Sequence, residues 1–215
     1  IRGKIGMLFS EPDDQFVGLT VADDIAFGLE NLCLSREEME ARILRYAELL
    51  GIGHLLDRHP AAMSGGQKQL AAMAAVLAME PSILLLDEAG SMLDDRARNH
   101  FRAIVNRLRS TGRYTIVSVT HDAEEMMLAD RLVLVAEGRV LAEGEPERLL
   151  ADEQLLAECR ISPPFALAFC RELARRGWPI GFHADERKAV DALWALLSSK
   201  SPPGFGTEIG GPSHW

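Results

Sequence analysis

The stretch Ile83-Leu84-Leu85-Leu86-Asp87-Glu88 joins a run of apolar residues directly to two carboxylates. A short continuous apolar run is typical of a parallel β-strand that is buried on both faces. The carboxylates then lie at the carboxyl edge of the sheet, where one can hold Mg²⁺ and its neighbour can polarise water. The stretch therefore predicts an α/β sheet with an acidic site at one edge. A solvated strand end is the plainer alternative for an isolated Asp-Glu pair.

A second marker, Met63-Ser64-Gly65-Gly66-Gln67, lies upstream at the start of a predicted helix that continues to Met79. Two glycines let a ligand approach the backbone, and the helix N-terminus presents free amides and the positive end of its dipole. The segment therefore predicts an anion site, most plausibly for phosphate. A glycine turn with an ordinary serine N-cap is the alternative.

A third marker follows a second predicted strand, the β-branched segment Thr115–Thr120, which ends at His121. Ligands of open α/β sheets bind at the carboxyl ends of the strands, so His121 is a candidate site residue. A surface or capping histidine is the alternative. Between the two strands, Ser91-Met92-Leu93-Asp94 leads into a charged helix predicted over 94–110.

The remaining elements are mostly helical. Ser35 and Glu38 form a predicted reciprocal capping box for a helix over 36–50, and Thr20 with Asp23 gives a weaker version for a helix that reaches Asn31. The pattern also predicts a short helix over 123–128, a hairpin of 132–135 with 140–141, and helices over 147–159, 165–176 and 185–199.

Composition excludes several functional classes. The 215 residues contain 23 Lys and Arg against 32 Asp and Glu, and a net charge of −9 argues against a general nucleic-acid binder. The longest apolar run, Leu70–Met79, is about half of the roughly 20 residues that a membrane-spanning helix needs. Ile5–Phe9 is too short for the hydrophobic region of a signal peptide. Three cysteines without CxxC or zinc spacing fit a reducing cytosol.

The order of these motifs resembles the ATP-binding subunit of an ABC transporter. In that family, the matching motifs are the signature (Ser64–Gln67), the Walker B strand (Ile83–Glu88), the D-loop (Ser91–Asp94) and the switch histidine (His121). The segments Ile5–Val17 and Asp23–Gly28 are similar to the energy-coupling factor branch, which powers uptake of vitamins or of transition-metal ions.

The resemblance implies a P-loop NTPase-like α/β fold, an ABC ATPase domain that is truncated at its N-terminus, with a helical signature subdomain and a small C-terminal helical extension. The partial ATPase domain, from the Q-loop to the H-loop, is expected over 1–145, with the signature subdomain over about 20–80. A C-terminal helical domain is expected over 146–200. Residues 201–215, rich in Gly, Pro and Ser, predict a disordered tail.

The resemblance also implies a reaction, the hydrolysis of ATP at the interface of two such subunits. Glu88 would polarise the attacking water, Asp87 would hold Mg²⁺ through water, and His121 would contact the γ-phosphate. The signature residues would clamp the ATP of the partner subunit in trans, namely Ser64, Gly65, Gly66 and Gln67. Asp94 would couple the two sites.

By the same resemblance, the chain assembles with a second ATPase subunit, as a homo- or heterodimer, with a transmembrane T subunit and with a substrate-binding S subunit. The segment Asp14, Gln15 and Phe16 corresponds to the region that faces the T subunit. The complex would place this chain peripherally on the cytoplasmic face of the membrane, and another subunit would choose the transported substrate.

Three features depart from the family pattern. No G-x-x-x-x-G-K-[ST] occurs, and because the family's phosphate loop lies upstream of the Q-loop, the sequence is expected to begin after it. Ser10 stands at the Q-loop glutamine, and Leu70 stands where the family usually has arginine. Ser10 and the absent phosphate loop favour an alternative, a non-hydrolytic partner that supplies its signature in trans and contacts the T subunit. Glu88 and His121 favour the ATPase. Net charge disfavours a soluble ABC ATPase of DNA repair or translation.

Overall fold

The structure is a computed structural model, and it describes residues 4–178, 180–181, 183 and 186–199. The chain divides into two compact units, residues 1–121 and 122–215. Buried apolar clusters lie within each unit. The predicted tail, 201–215, lies outside the described residues.

The first unit contains a three-stranded parallel sheet. Its strands are β1 (Ile5–Leu8), β2 (Ile83–Asp87) and β3 (Thr115–Val119), in the order β1-β2-β3. The parallel α/β sheet predicted from the sequence is therefore confirmed. The apolar stretch that includes Ile5–Leu8 is too short to identify β1 by its pattern, and it becomes a strand by pairing residue for residue with Ile83–Leu86.

Only one face of the sheet is buried among the described residues. Leu84 and Leu86 are 0% and 1% exposed, whereas Met7 and Val117, on the opposite face, are 38% and 48% exposed. The expectation that β2 is buried on both faces is therefore wrong. A continuous apolar run specifies a strand, but it does not specify how many faces its neighbours cover.

Three helices form the subdomain between β1 and β2. They are α1 (Val21–Glu30), α2 (Arg36–Leu49) and α3 (Gly65–Ala78), and α1 and α2 both pack against α3. The third helix also packs against β1 so closely that a side chain at Gly6 would collide with Val76.

The caps of α1 and α2 lie where the sequence predicts them, but the full capping box forms at α1 and not at α2. Thr20 and Asp23 form the full reciprocal capping box at the start of α1. Ser35 accepts a hydrogen bond from the Glu38 amide, but the predicted return bond is absent because the Glu38 carboxylate pairs with Arg42 at 3.0 Å. The reciprocal box predicted at Ser35 is therefore only half correct.

A fourth helix, α4 (Asp95–Ser110), connects β2 to β3. In the second unit, α5 (Ala123–Met126) precedes an antiparallel hairpin of β4 (Leu132–Ala136) and β5 (Arg139–Gly144). The following helices are α6 (Pro146–Leu150), α7 (Glu153–Cys159), α8 (Phe165–Arg175) and α9 (Glu186–Ser199).

The single helix predicted over 147–159 is instead two helices, α6 and α7. Asp152 interrupts it, because its carboxylate accepts a hydrogen bond from the Leu155 amide and so begins a new helix. The boundary between the compact units falls after residue 121, and the ATPase domain boundary expected after residue 145 stays a prediction. The hairpin belongs to the second unit because Leu132 and Leu134 share a buried cluster with Leu156 and its neighbours.

A cluster around Glu80 joins the helical subdomain to the amino edge of the sheet. The Glu80 carboxylate accepts a hydrogen bond from the Tyr46 hydroxyl at 3.0 Å and pairs with Arg113 at 2.9 Å. Arg42 and Arg45 add ion pairs at 3.6 and 3.3 Å. Burial acts to raise the pKa of Glu80, but Arg113, Tyr46 and Arg42 outweigh it and hold the pKa below its usual value.

We expect Glu80→Gln to lower the free energy of unfolding by about 1–2 kcal/mol at pH 7, because a neutral amide cannot satisfy three guanidinium groups. A carboxylate whose pKa is lowered by folding stabilises the fold above its ordinary value, 4.5 here, and loses that effect as the pH falls through the folded value. The difference between parent and variant should therefore shrink below about pH 4.5.

Urea denaturation over a pH series measures this difference. Glu48→Gln, which neutralises an exposed carboxylate of α2, is the matched control and should change stability by less than about 0.5 kcal/mol. Equal effects of the two variants would contradict the assigned role of Glu80.

Candidate active site at the carboxyl edge of the sheet

The carboxyl edge of the sheet brings Glu88 and His121 together. Glu88 directly follows β2 and His121 lies just beyond β3, and Nδ1 of the histidine is 3.5 Å from Oε1 of the glutamate. Both side chains are exposed, by 46% for Glu88 and 72% for His121. Asp87 is the last residue of β2 and pairs in register with Val119, so its carboxylate lies at the same edge.

Glu88 has an unusual backbone conformation. Its φ angle is +47°, in the left-handed region that non-glycine residues occupy at a cost in energy. The Glu88 amide donates to the Val119 carbonyl at 2.9 Å, and the Glu88 carbonyl accepts from both the amide and the hydroxyl of Ser91. The sequence carries no signal for this conformation, since glycine is the usual residue there.

The segment Ser64–Gln67 forms the start of α3 as a closed cap. Ser64 Oγ accepts from the Gln67 amide at 3.3 Å, and Gln67 Oε1 accepts from the Ser64 amide at 3.1 Å. Gly66 allows α3 to approach α4, because a Cβ atom there would lie 2.9 Å from the Cβ of Ala97. Gly65 faces open space. The described residues 64–67 bond to one another here and not to Glu88 or His121.

Asp94 begins α4. Its Oδ1 accepts a hydrogen bond from the Ala97 amide at 2.8 Å, which makes Asp94 the N-cap of that helix. Met92, two residues earlier, is 69% exposed. The segment 91–94 therefore has an exposed side chain at Met92 and a hydrogen-bonded end at Asp94.

The loop after β1 contains Ser10 and a 3₁₀ helix, Pro12–Gln15. Gln15 turns back toward β1, where its Oε1 accepts from the Phe9 amide at 3.2 Å and its Nε2 donates to the Met7 carbonyl at 3.4 Å. Phe16 packs against the core, and Asp14 is exposed. Of the segment Asp14–Phe16, only Asp14 lies freely on the surface.

Comparison with known proteins identifies the family. Residues 1–91 match the ABC transporter family. The energy-coupling factor transporter ATP-binding protein EcfA1 of Streptococcus pyogenes serotype M5 (strain Manfredo) is 39% identical over 199 residues, which are 92% of this chain and 71% of the relative. EcfA of Streptococcus pyogenes gives the same figures. The chain belongs to the energy-coupling factor ATP-binding subunits of ABC transporters.

A solved structure agrees with this family. CbiO1 from Clostridium perfringens, part of the ABC transporter complex CbiONQ, matches with a TM-score of 0.67 and 30% identity. The match covers 82% of this chain and 66% of that one, so the chain spans just under two thirds of the CbiO1 chain. The predicted ABC ATPase fold is thereby confirmed, and ABC ATP-binding subunits are ATPases. Within the described residues, no helix is both long and apolar enough to cross a membrane.

The acidic edge fits Mg²⁺ only as part of a larger ligand set. Among the described residues, no group of three or more His, Cys, Asp or Glu side chains is arranged to hold a metal ion. Mg²⁺ in nucleotide sites usually takes one or two carboxylates and completes its octahedron with water and substrate phosphates. Asp87 at the end of the Walker B strand fits that limited role.

Lys68 and Gln69 are functional candidates that the sequence did not indicate. Lys68 pairs with Asp13, and Gln69 Nε2 donates to the Phe9 carbonyl at 3.0 Å. Gln69 is only 1% exposed, and its Oε1 is buried without a hydrogen-bond partner. Two consecutive residues of α3 therefore bind the segment that follows β1. A polar Gln69 beside the apolar run that begins at Leu70 was the one available signal.

We expect Gln69→Glu to destabilise the protein by about 2–3 kcal/mol at pH 8, because a buried carboxylate cannot donate to the Phe9 carbonyl. Burial raises the pKa of such a carboxyl in the folded state, so the loss should decrease as the pH falls toward 5 and the protonated acid donates in place of the amide.

Urea denaturation at both pH values tests this expectation. Gln154→Glu, an exposed change of the same kind on α7, should alter stability by less than about 0.5 kcal/mol at either pH. A Gln69→Glu protein as stable as the parent at pH 8 would show that Gln69 does not fasten the loop.

Proposed function

We propose that the chain binds and hydrolyses ATP to energise an energy-coupling factor importer of vitamins or transition-metal ions. The observation that carries the proposal is the pair of Glu88 and His121, 3.5 Å apart at the carboxyl edge of a parallel sheet. Ligands of such sheets bind at this edge. The family membership given by the EcfA relatives supports the same assignment.

In the proposed reaction, Glu88 polarises the attacking water and His121 contacts the γ-phosphate. Asp87 would hold Mg²⁺ through water, and the ion would supply positive charge against the phosphate oxygens. Phosphoryl transfer depends mainly on positioning and electrostatics, so the fixed backbone of Glu88 matters as much as its charge. The exposure of both side chains leaves room for water and nucleotide.

The signature is proposed to act in trans. Ser64 and Gly65 are exposed at the N-terminus of the 14-residue helix α3, where an anion is favoured by the helix dipole. Together with Gly66 and Gln67 they would clamp the ATP of a second ATPase subunit. Asp94, at the end of the exposed D-loop tip, would couple the two sites.

A T subunit of the transporter is the proposed membrane partner, with an S subunit choosing the substrate. Asp14 remains the surface contact in the segment Asp14–Phe16, since Gln15 and Phe16 are engaged within the chain. Two apolar side chains follow it, Val17 at 67% and Leu19 at 74% exposure. An acidic residue beside exposed apolar ones suits a partner helix with basic and apolar side chains. Binding to the T subunit would hold the chain peripherally at the cytoplasmic face of the membrane.

A second candidate function is a non-hydrolytic partner that supplies its signature and its T-subunit contact. One observation favours it, the Ser10 hydroxyl in place of the Q-loop glutamine. The signature cap and the loop contacts of Lys68 and Gln69 serve both candidates equally. Substitution of Glu88 separates them.

In a chain that carries the upstream phosphate loop, assembled with a second ATPase subunit and the T subunit, we expect Glu88→Gln to reduce ATP hydrolysis by about 100-fold or more. The reason is that the amide cannot polarise water. ATP binding should persist. Phosphate release and nucleotide binding measure the two effects, with Glu48→Gln as the exposed control. Hydrolysis within a few-fold of the parent would exclude Glu88 as the base and favour the non-hydrolytic partner.

We expect Ser64→Arg, placed on this chain alone in a heterodimer, to abolish hydrolysis at the site that uses the partner's phosphate loop, because the long side chain blocks closure on the signature. Trapping of labelled nucleotide with subunit-specific crosslinking locates the loss. Ser35→Arg is the control, since it removes an equivalent N-cap of α2 outside the signature. A loss at the other site would refute action in trans.

A further inference from the structure

The D-loop is held by a side chain that the reaction described above does not use. The loop from Glu88 to Asp94 connects β2 to α4, and it carries the proposed base at one end and the D-loop aspartate at the other. Arg98, from the first turn of α4, folds back over it. Arg98 Nη2 donates to the Leu93 carbonyl at 2.8 Å, and Nε donates to the Gly90 carbonyl at 3.3 Å.

The position of Arg98 is electrostatically unfavourable for the helix by itself. A cation in the first turn faces the positive end of the helix dipole, where acidic residues are preferred. Its ion pair with Asp95 is long, 3.4 Å, and the Asp95 side chain is 96% exposed, so this pair contributes little. The contacts that justify an arginine here are therefore the two loop carbonyls.

The Arg98 guanidinium makes both contacts at once. The guanidinium presents its donors as a rigid planar fork, whereas a lysine offers one compact charge. The Arg98 side chain is 30% exposed, so its hydrogen bonds are partly shielded from water. The fork thus fixes the second half of the loop against α4.

The first half of the loop is where this constraint takes effect. Glu88 stays in the left-handed region while Ser91 binds its carbonyl through the amide at 2.9 Å and the hydroxyl at 2.8 Å. Ser91 is adjacent to Gly90, whose carbonyl Arg98 holds. If Arg98 is removed, Ser91 can shift, and Glu88 is free to relax toward an ordinary φ angle away from His121.

We propose that Arg98 is a positioning residue, which keeps the loop from Glu88 to Asp94 in the conformation that aligns Glu88 beside His121. This role rests on the proposed function of Glu88 as the base. Arg98 touches neither reacting group, so it acts through the backbone of the loop. Its removal lowers the rate of the chemical step and leaves the affinity for ATP unchanged.

The first arm of the test uses the full chain without nucleotide. Hydrogen exchange at the Glu88, Ser91 and Leu93 amides, which are all hydrogen-bonded here, reports the loop directly. Arg98→Met should accelerate exchange at these amides severalfold, and Arg98→Lys should give an intermediate value. Arg96→Met, an exposed charge removal in the same turn, is the control and should match the parent. Unchanged exchange in Arg98→Met overturns the proposal.

The second arm measures ATP hydrolysis in the assembled complex. Arg98→Met should lower kcat by about 10- to 100-fold with an unchanged KM for ATP, and Arg98→Lys should recover part of the loss. Faster exchange with an unchanged kcat would overturn the link to the reaction. A rise in KM with a lower melting temperature would assign Arg98 to general stability and also overturn it.

Glu88→Gln in the same complex separates the two proposals. If that variant still hydrolyses ATP, the proposed function fails, and the positioning role for the base fails with it, whatever the exchange shows. If Glu88→Gln is inactive and Arg98→Met retains the parent kcat, the proposed function stands and only the positioning role is overturned.

Discussion

The parallel pairing of β2 with both β1 and β3 is the constraint on which the first unit depends. Parallel neighbours cannot be joined by tight turns, so each connection must cross back over the sheet. The helical subdomain occupies the first crossover and α4 the second. The same pairing aligns the carboxyl ends of β2 and β3, where Glu88 lies 3.5 Å from His121.

A glutamate in the left-handed conformation lies beyond each end of β2, Glu80 at +52° and Glu88 at +47°. At the amino edge, Glu80 is partly buried and bound by Arg42, Arg45, Arg113 and Tyr46. Of these, Arg45, Arg113 and Tyr46 line a cavity of about 700 Å³ together with Tyr114. At the carboxyl edge, the Glu88 carboxylate is exposed, and the Glu88 backbone carbonyl is held by a hydrogen bond from Ser91. The contacts of Glu80 therefore stabilise the fold, whereas the charge of Glu88 stays accessible to water.

The signature helix α3 links the elements that a transporter ATPase must coordinate. Lys68 and Gln69 hold the loop after β1, and Gly66 permits close contact with α4 at Ala97. A salt bridge, a hydrogen bond and close packing therefore converge on the helix that begins at Ser64.

The sequence by itself determined the local elements and their order. The caps at Thr20 and Ser64, the apolar run before Asp87 and the β-branched run before His121 each act within a few residues, so the pattern specifies helix, strand and edge position. The pattern thus assigned Glu88 and His121 each to the carboxyl end of a strand, but it did not pair them. The same local reading could not separate α6 from α7, because Asp152 suits either a helix interior facing solvent or an N-cap.

Only the tertiary structure decided which distant groups meet. The strand β1 forms because it pairs with β2. Among the described residues, only one face of the sheet is fully buried. The Glu38 carboxylate pairs with Arg42 and not with the cap of its own helix. The contacts of Gln69 with Phe9 and of Arg98 with the D-loop carbonyls likewise depend on how elements pack. Propensity and periodicity encode short-range geometry, whereas burial and long-range hydrogen bonds are set by the assembled fold.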